Sequence, residues 1–156
     1  MAYTPVPAGT ENWDVPLNQA LSDIDDTAED AMAGDGTIVD TLETTTSTAY
    51  TDLATVGPSV TVTLTSPRTV AVLLSARMRN AVTSDDVWQG FTVSGATTAA
   101  ASDNAGTRHN GSGALQTYTS TAVVACNAGT TTFTSKYRVD GGTGEYSLRV
   151  IAVLVL

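Results

Sequence analysis

Ser59-Val60-Thr61-Val62-Thr63-Leu64-Thr65-Ser66-Pro67 decides the fold. Val60, Val62 and Leu64 recur at every second residue with threonines between them, the period at which a strand buries one face and wets the other. Ser66-Pro67 turns the chain. The alternation then resumes, with Val70, Val72, Leu74, Ala76 and Met78 on an inward side and Ala71, Leu73, Ser75, Arg77 and Arg79 on an outward one. Further strands are expected at Val87 to Ser94, Thr117 to Cys126, Thr131 to Val139 and Tyr146 to Leu156. A polar loop from Gly95 to Gly113 carries Asp103-Asn104 and Arg108-His109-Asn110-Gly111. Short strands between Gly, Ser, Asn and Asp turns, with no helical period after Gly36, predict a mainly β chain: an antiparallel jelly-roll-like β-sandwich.

The last strand breaks the pattern. From Val150 to Leu156 both faces are apolar, as expected of a strand covered on both sides. A single sandwich covers one face, so the second cover is expected from identical copies meeting at Val150, Ile151, Val153 and Val155. A homotrimer is the simplest closed arrangement, and a dimer the next.

Working toward the N-terminus, Gly57-Pro58 marks the start of the β head, residues 59–156. Residues 37–58 are threonine-rich with few large apolar groups and read as a connector, with room for a first strand. Residues 1–36 read as an extended arm, from the density of Pro5, Pro7 and Gly9, followed by an α-helix. Asp14 caps the helix, Pro16 sits in its first turn, and Gly34 and Gly36 stop it. Its apolar residues Leu17, Ala20, Leu21, Ile24, Ala28 and Ala31 form one narrow stripe. That stripe is too thin to hold an isolated helix, so it needs a symmetry mate, a larger protein's surface or its own β head. Trp13, in a proline-bearing segment, suits a pocket on such a partner.

Charge follows the same division. The first 67 residues contain no lysine or arginine but carry 11 of the 16 acidic side chains. A net charge of −9 and a pI near 4.2 argue against nucleic acid and anionic membrane as partners, since both need clustered cations. Cys126 is the only cysteine, so it forms no intramolecular disulfide and reads as a small buried hydrophobe. The N-terminus lacks a basic region followed by an apolar core, which predicts a protein made in the cytoplasm without a secretory signal.

Two segments carry a resemblance. Thr4-Pro5 through Trp13-Asp14-Val15-Pro16-Leu17-Asn18, leading into a short helix, resembles the N-terminal attachment segment of virion proteins from tailed bacteriophages of actinobacteria. Tyr50-Thr51-Asp52-Leu53-Ala54-Thr55-Val56-Gly57-Pro58-Ser59-Val60-Thr61-Val62, then Asn127-Ala128-Gly129-Thr130 into Phe133-Thr134-Ser135-Lys136-Tyr137-Arg138-Val139, is similar to the C-terminal β heads of those proteins. The resemblance implies a virion surface appendage, a minor tail protein or capsid decoration, with the major capsid protein or a tail protein as partner. The chain departs from longer members by lacking a central shaft, collagen-like repeat or enzymatic insert, so a short knob is expected. Attachment then falls on Pro5, Pro7, Trp13, Leu17, Leu21 and Ile24.

No catalytic motif accompanies this. His109 would need Asp103 and Ser112 or Ser120 in fixed geometry, and no strained nucleophile turn surrounds either serine. Asp85-Asp86 are neighbours whose side chains point apart, unlike a glycosidase pair across a cleft. The acidic cluster Asp23, Asp25, Asp26, Glu29 and Asp30 is spread around a helix rather than converging on a cation. The expectation is a non-enzymatic structural protein with no cofactor and no metal. The alternative is a carbohydrate-binding module that meets host cell-surface glycan through Trp88, Asp103 and His109.

Overall fold

The computed structural model describes residues 34–156. The expected arm and helix, and with them the attachment residues Pro5 to Ile24, lie outside the described residues. Nine strands run antiparallel in two stacked sheets among those residues. Sheet one has the order β1-β9-β4-β7, from β1 (Gly34–Val39), β9 (Gly144–Val155), β4 (Arg68–Asn80) and β7 (Gln116–Cys126), with the short β2 (Glu43–Thr45) also paired to β9. Sheet two has the order β3-β8-β5-β6, from β3 (Ser59–Leu64), β8 (Gly129–Val139), β5 (Asp86–Gly95) and β6 (Thr107–Asn110). The mainly β, jelly-roll-like sandwich expected from the alternation is what the chain adopts.

The inward residues behave as their period dictates. Val70, Val72, Leu74, Ala76 and Met78 of β4 are fully buried; the first three meet Val60, Phe91 and Phe133 from the opposite sheet, and Met78 joins the cluster at the other end of the interior. A second cluster of Leu53, Val87, Tyr137, Val139 and Tyr146 closes the other end of the interior. Each fully buried large side chain contributes about 1.5–3 kcal/mol of apolar transfer. Cys126 is buried at the margin of the first cluster.

Three findings differ from the sequence reading. The expected helix stop at Gly34 and Gly36 and the connector over 37–58, which left room for a first strand, together supply two strands, β1 and β2, so the sheet begins at Gly34 and not after Pro58. Gly36, expected to stop a helix, pairs in β1 with Ala152. The polar loop contains a fourth strand of sheet two, β6, which pairs with β5 from Asp86↔Asn110 to Gln89↔Thr107.

The last strand also departs from simple alternation. Its pairing with β4 slips between Ser75 and Arg77, where Leu148 takes a left-handed φ of 45°. This extra residue is a β-bulge, and it resets which residues point inward. Tyr146 lies inside before it, and Arg149, Ile151, Val153 and Val155 lie inside after it, all at most 2 % exposed. Three of the four residues expected at an interface between copies, Ile151, Val153 and Val155, are therefore used by the chain's own core. Val150 faces outward, half-buried.

Candidate functional site

Two surfaces stand out, one on each sheet. On sheet one, strand register lines up the outward side chains in rows. One row runs Gly34, Leu154, Ala71, Val123; the next runs Gly36, Ala152, Leu73, Thr121; a third runs Ile38, Val150, Ser75, Thr119. Ile38, Leu73, Val123 and Leu154 are 59, 39, 66 and 50 % exposed. A shallow depression of about 470 Å³ opens among Asp35, Ala71, Leu73, Thr121, Ala152 and Leu154. A sheet face meeting water normally presents polar residues, and a contiguous apolar one marks an interaction surface. The sequence signal was the doubly apolar end of β9. The outward apolar residues of that strand are Val150, Ala152 and Leu154, whereas Ile151, Val153 and Val155 are buried in the chain's own core.

On sheet two the outward face is polar. Trp88 on β5 has Arg138 of β8 and Arg108 of β6 as its cross-strand neighbours, because register pairs it with both. The two guanidinium carbons lie 4.9 and 5.5 Å from the indole centroid, a cation–π arrangement. Arg138 in turn donates to both oxygens of Asp103, Nε to Oδ1 at 2.9 Å and Nη2 to Oδ2 at 2.5 Å, and its Nη1 donates to Asp140. The indole Nε1 donates to Asp140 Oδ2 at 3.4 Å. Arg108 pairs with Asp86 at 3.0 Å.

Asp103 reaches this cluster because Ser102 caps a single 3-10 turn, accepting from the Asn104 N–H, and so projects the carboxylate over the sheet. Tyr50 approaches from the other side and donates to Asp103 Oδ1 at 3.0 Å. Its ring lies where a side chain at Gly90 would be: a Cβ there would sit 2.7 Å from Tyr50 Cε1. Hydrogen bonds from Arg138, then from Tyr50, outweigh burial and hold Asp103 below the usual carboxylate range. Burial, then the bond to Asp103, pushes the Tyr50 phenol up, so it stays a neutral donor. Asp103 in the same way raises Arg138.

Of the three expected glycan contacts, the structure thus brings Trp88 and Asp103 to one cluster and separates His109. Arg108 points outward and His109, one residue on, points inward. Its ring stacks on Tyr118 of β7 at 4.6 Å, bridging the two sheets, and burial lowers its pKa despite Asp86. Asp103, its suggested catalytic partner, is engaged by Tyr50 and Arg138. Among the described residues no group of three or more His, Cys, Asp or Glu is placed to hold a metal ion.

Comparison with known proteins bears on the fold. No family model matches the chain, and no curated protein sequence matches it. Among solved structures it is similar to Eiger TNF from S. frugiperda, with a TM-score of 0.51 and 11 % identity over 81 % of this chain and 93 % of that one. That likeness is one of fold. Murine APRIL superposes with a TM-score of 0.46 at 14 % identity, covering 80 % of this chain and all of that one. A family 35 carbohydrate binding module from Clostridium thermocellum gives 0.41 at 17 % identity, over 76 % and 97 %.

The polar cluster is closed rather than open. Each acid in it has a cationic or phenolic partner, and guanidinium groups lie against the indole that a sugar ring would need. Its geometry serves to tie β5, β6, β8 and the Asp103 turn together. Among the described residues the apolar face of sheet one has no such partner, which makes it the stronger candidate for function.

Proposed function

We propose that this chain is a non-enzymatic structural protein of a bacteriophage virion: a short surface appendage, capsid decoration or minor tail protein, whose β heads associate as a homotrimer. The observation that carries the reading is the apolar outer face of sheet one, at whose edge the N-terminal segment joins the head through Gly34. Copies meet on that face through Leu73, Val123, Val150 and Leu154, in place of the buried Ile151, Val153 and Val155. The N-terminal residues attach to the capsid or tail protein, as the resemblance of Thr4 to Asn18 implies. Three linked anchors let weak single contacts hold.

Removing residues 1–33 tests this while leaving every described strand intact. The truncated protein is expected to scatter light at three times its chain mass and to be missing from purified particles. Incorporation at the full-length level would overturn the attachment role, and a monomer at all concentrations would overturn the trimer.

Glycan binding is the second reading, favoured by the meeting of Trp88 and Asp103 in one exposed cluster. It requires Arg108, whose side chain is 62 % exposed, to swing off the indole. On a glycan array it predicts saturable binding that Trp88→Ala abolishes, and an array without signal rejects it.

A further inference from the structure

We propose that the heads form a ring whose axis runs along the strands of sheet one, and that Arg77 of each copy pairs with Asp40 of the next. The pairing rests on the trimer reading and names the charged contact within it.

Most charges of the head are already satisfied. Among the described residues five of the seven lysines and arginines, Arg79, Arg108, Lys136, Arg138 and Arg149, pair with acids of the same head. Arg68 and Arg77 do not. Arg68 has the inward parity of Val70 and Val72, and its Nε is sealed from water. Arg77 has the outward parity of Leu73 and Ser75, is half-buried, and makes no hydrogen bond or ion pair among the described residues. Of the described acids, Asp35, Asp40 and Asp85 lack a cation. Asp35 accepts from the Gly36 N–H at 2.7 Å and Asp85 from the Thr83 hydroxyl at 2.8 Å. Asp40 is exposed and has no bond among the described residues.

Strand register sets Arg77 and Asp40 at one level. Ile38, Val150 and Ser75 form a row across β1, β9 and β4. Since β1 and β4 are both antiparallel to β9, they run the same way, and Asp40 and Arg77 each lie two residues beyond that row. Within one head they stand two strand spacings apart, about 10 Å, and do not pair. Asp35 is five residues back from Asp40, about 17 Å lower along the strands.

A rotation about an axis along the strands keeps every residue at its own level, so copies in such a ring meet level to level. At the level of Arg77 the acid without a partner is Asp40. The rows below it carry the apolar side chains Ile38, Leu73, Val123 and Leu154, whose burial supplies affinity without fixing position. A slip of two residues, about 7 Å, sets apolar rows against apolar rows again and parts the charges. The pair therefore selects the register, the task that complementary charge performs at interfaces.

Sedimentation equilibrium of the full chain over a concentration series tests this, with far-UV circular dichroism confirming that each variant is folded. The native protein is expected to be a trimer. Arg77→Glu and Asp40→Lys, each of which sets like charges together at every contact, are expected to raise the midpoint of dissociation at least about tenfold. The double variant, which restores opposite charges with their places exchanged, is expected to return within about threefold of the native midpoint. A native trimer that neither single variant loosens would overturn the pairing and leave the trimer reading standing. Two loosened single variants without rescue in the double would overturn it as well. A native protein that stays monomeric at all concentrations would overturn the trimer reading and the pairing together.

Discussion

Arg149→Ala is expected to destabilise the head by about 3–5 kcal/mol, the cost of removing one partner from a buried ion pair. Arg149 is fully buried between the sheets. Its Nη2 lies 3.0 Å from Glu43 Oε2, its Nη1 donates to the Thr55 and Gly57 carbonyls at 3.3 and 3.4 Å, and its guanidinium lies 5.4 Å from the Tyr137 ring centroid. Tyr137, pushed up to about 12 by burial, stays neutral and donates to the same Gly57 carbonyl. One cation thus fastens β2, the 51–58 segment and β8 onto β9. Glu43 completes the knot by accepting from the Thr55 N–H and hydroxyl. Without Arg149 its carboxylate stays inside with half its partners gone.

The pH dependence checks the assignment. Burial opposes ionisation of Glu43, but the Thr55 hydrogen bonds and Arg149 together outweigh it, so its pKa is depressed. A depressed carboxylate contributes stability that is present above its unfolded value, about 4.3, and is lost as pH falls through the folded value. In Arg149→Ala that acid-side loss should shrink, because burial remains and the attraction does not. Urea unfolding from pH 3 to 7 measures both effects. Replacing both partners, as Arg149→Met with Glu43→Gln, should recover most of the loss. A single Arg149→Ala within 1 kcal/mol of the native protein would show that the pair does not hold the segment.

Why Arg149 escaped a reading of the sequence is physical. Strict alternation from Tyr146 puts Leu148 and Val150 on the side of Tyr146 and puts Arg149 outside, where an arginine belongs. The bulge at Leu148 inverts this, and a leucine gives no sign of a left-handed conformation that normally calls for glycine. The same inversion moved Ile151, Val153 and Val155 into the core and left Val150, Ala152 and Leu154 for the surface. The edge strands were hidden for another reason. Thr107 to Asn110 holds no large apolar residue, and Gly34 to Val39 has two glycines, so neither shows the period that a half-buried strand must have.

Site residues divide along the same line. Trp88 was visible as an aromatic on a strand and Asp103 as a loop acid. Their meeting depends on Arg138, fifty positions from Trp88 and separated from Asp103 by two strands, and only β5–β8 register brings it between them. The apolar outer face of sheet one was legible as composition at the end of β9. Its extent across Ala71, Leu73 and Val123 required the strand order β9-β4-β7, which no local pattern encodes.

Where alternation is unbroken, the sequence supports a quantitative expectation. Phe133→Ala should cost about 3–5 kcal/mol and lower the melting temperature by about 10 °C or more. Phe133 is fully buried on β8, which lies between β3 and β5, and register sets it beside Val60 and Val93. Its ring is 6.1 Å from that of Phe91, a tilted aromatic pair. Alanine would leave a cavity bounded by both sheets, and strands fixed by ladder hydrogen bonds on either side cannot close over it. Thr132, one residue away and paired to Thr61 by a 2.8 Å hydroxyl contact on the wet side, is the matching control. Thr132→Ala should change stability by less than about 1 kcal/mol, since an exposed hydroxyl pair is replaced by water. A period-two strand requires this contrast between adjacent residues; equal costs at 132 and 133 would mean that β8 is not the divider between core and solvent that its alternation describes.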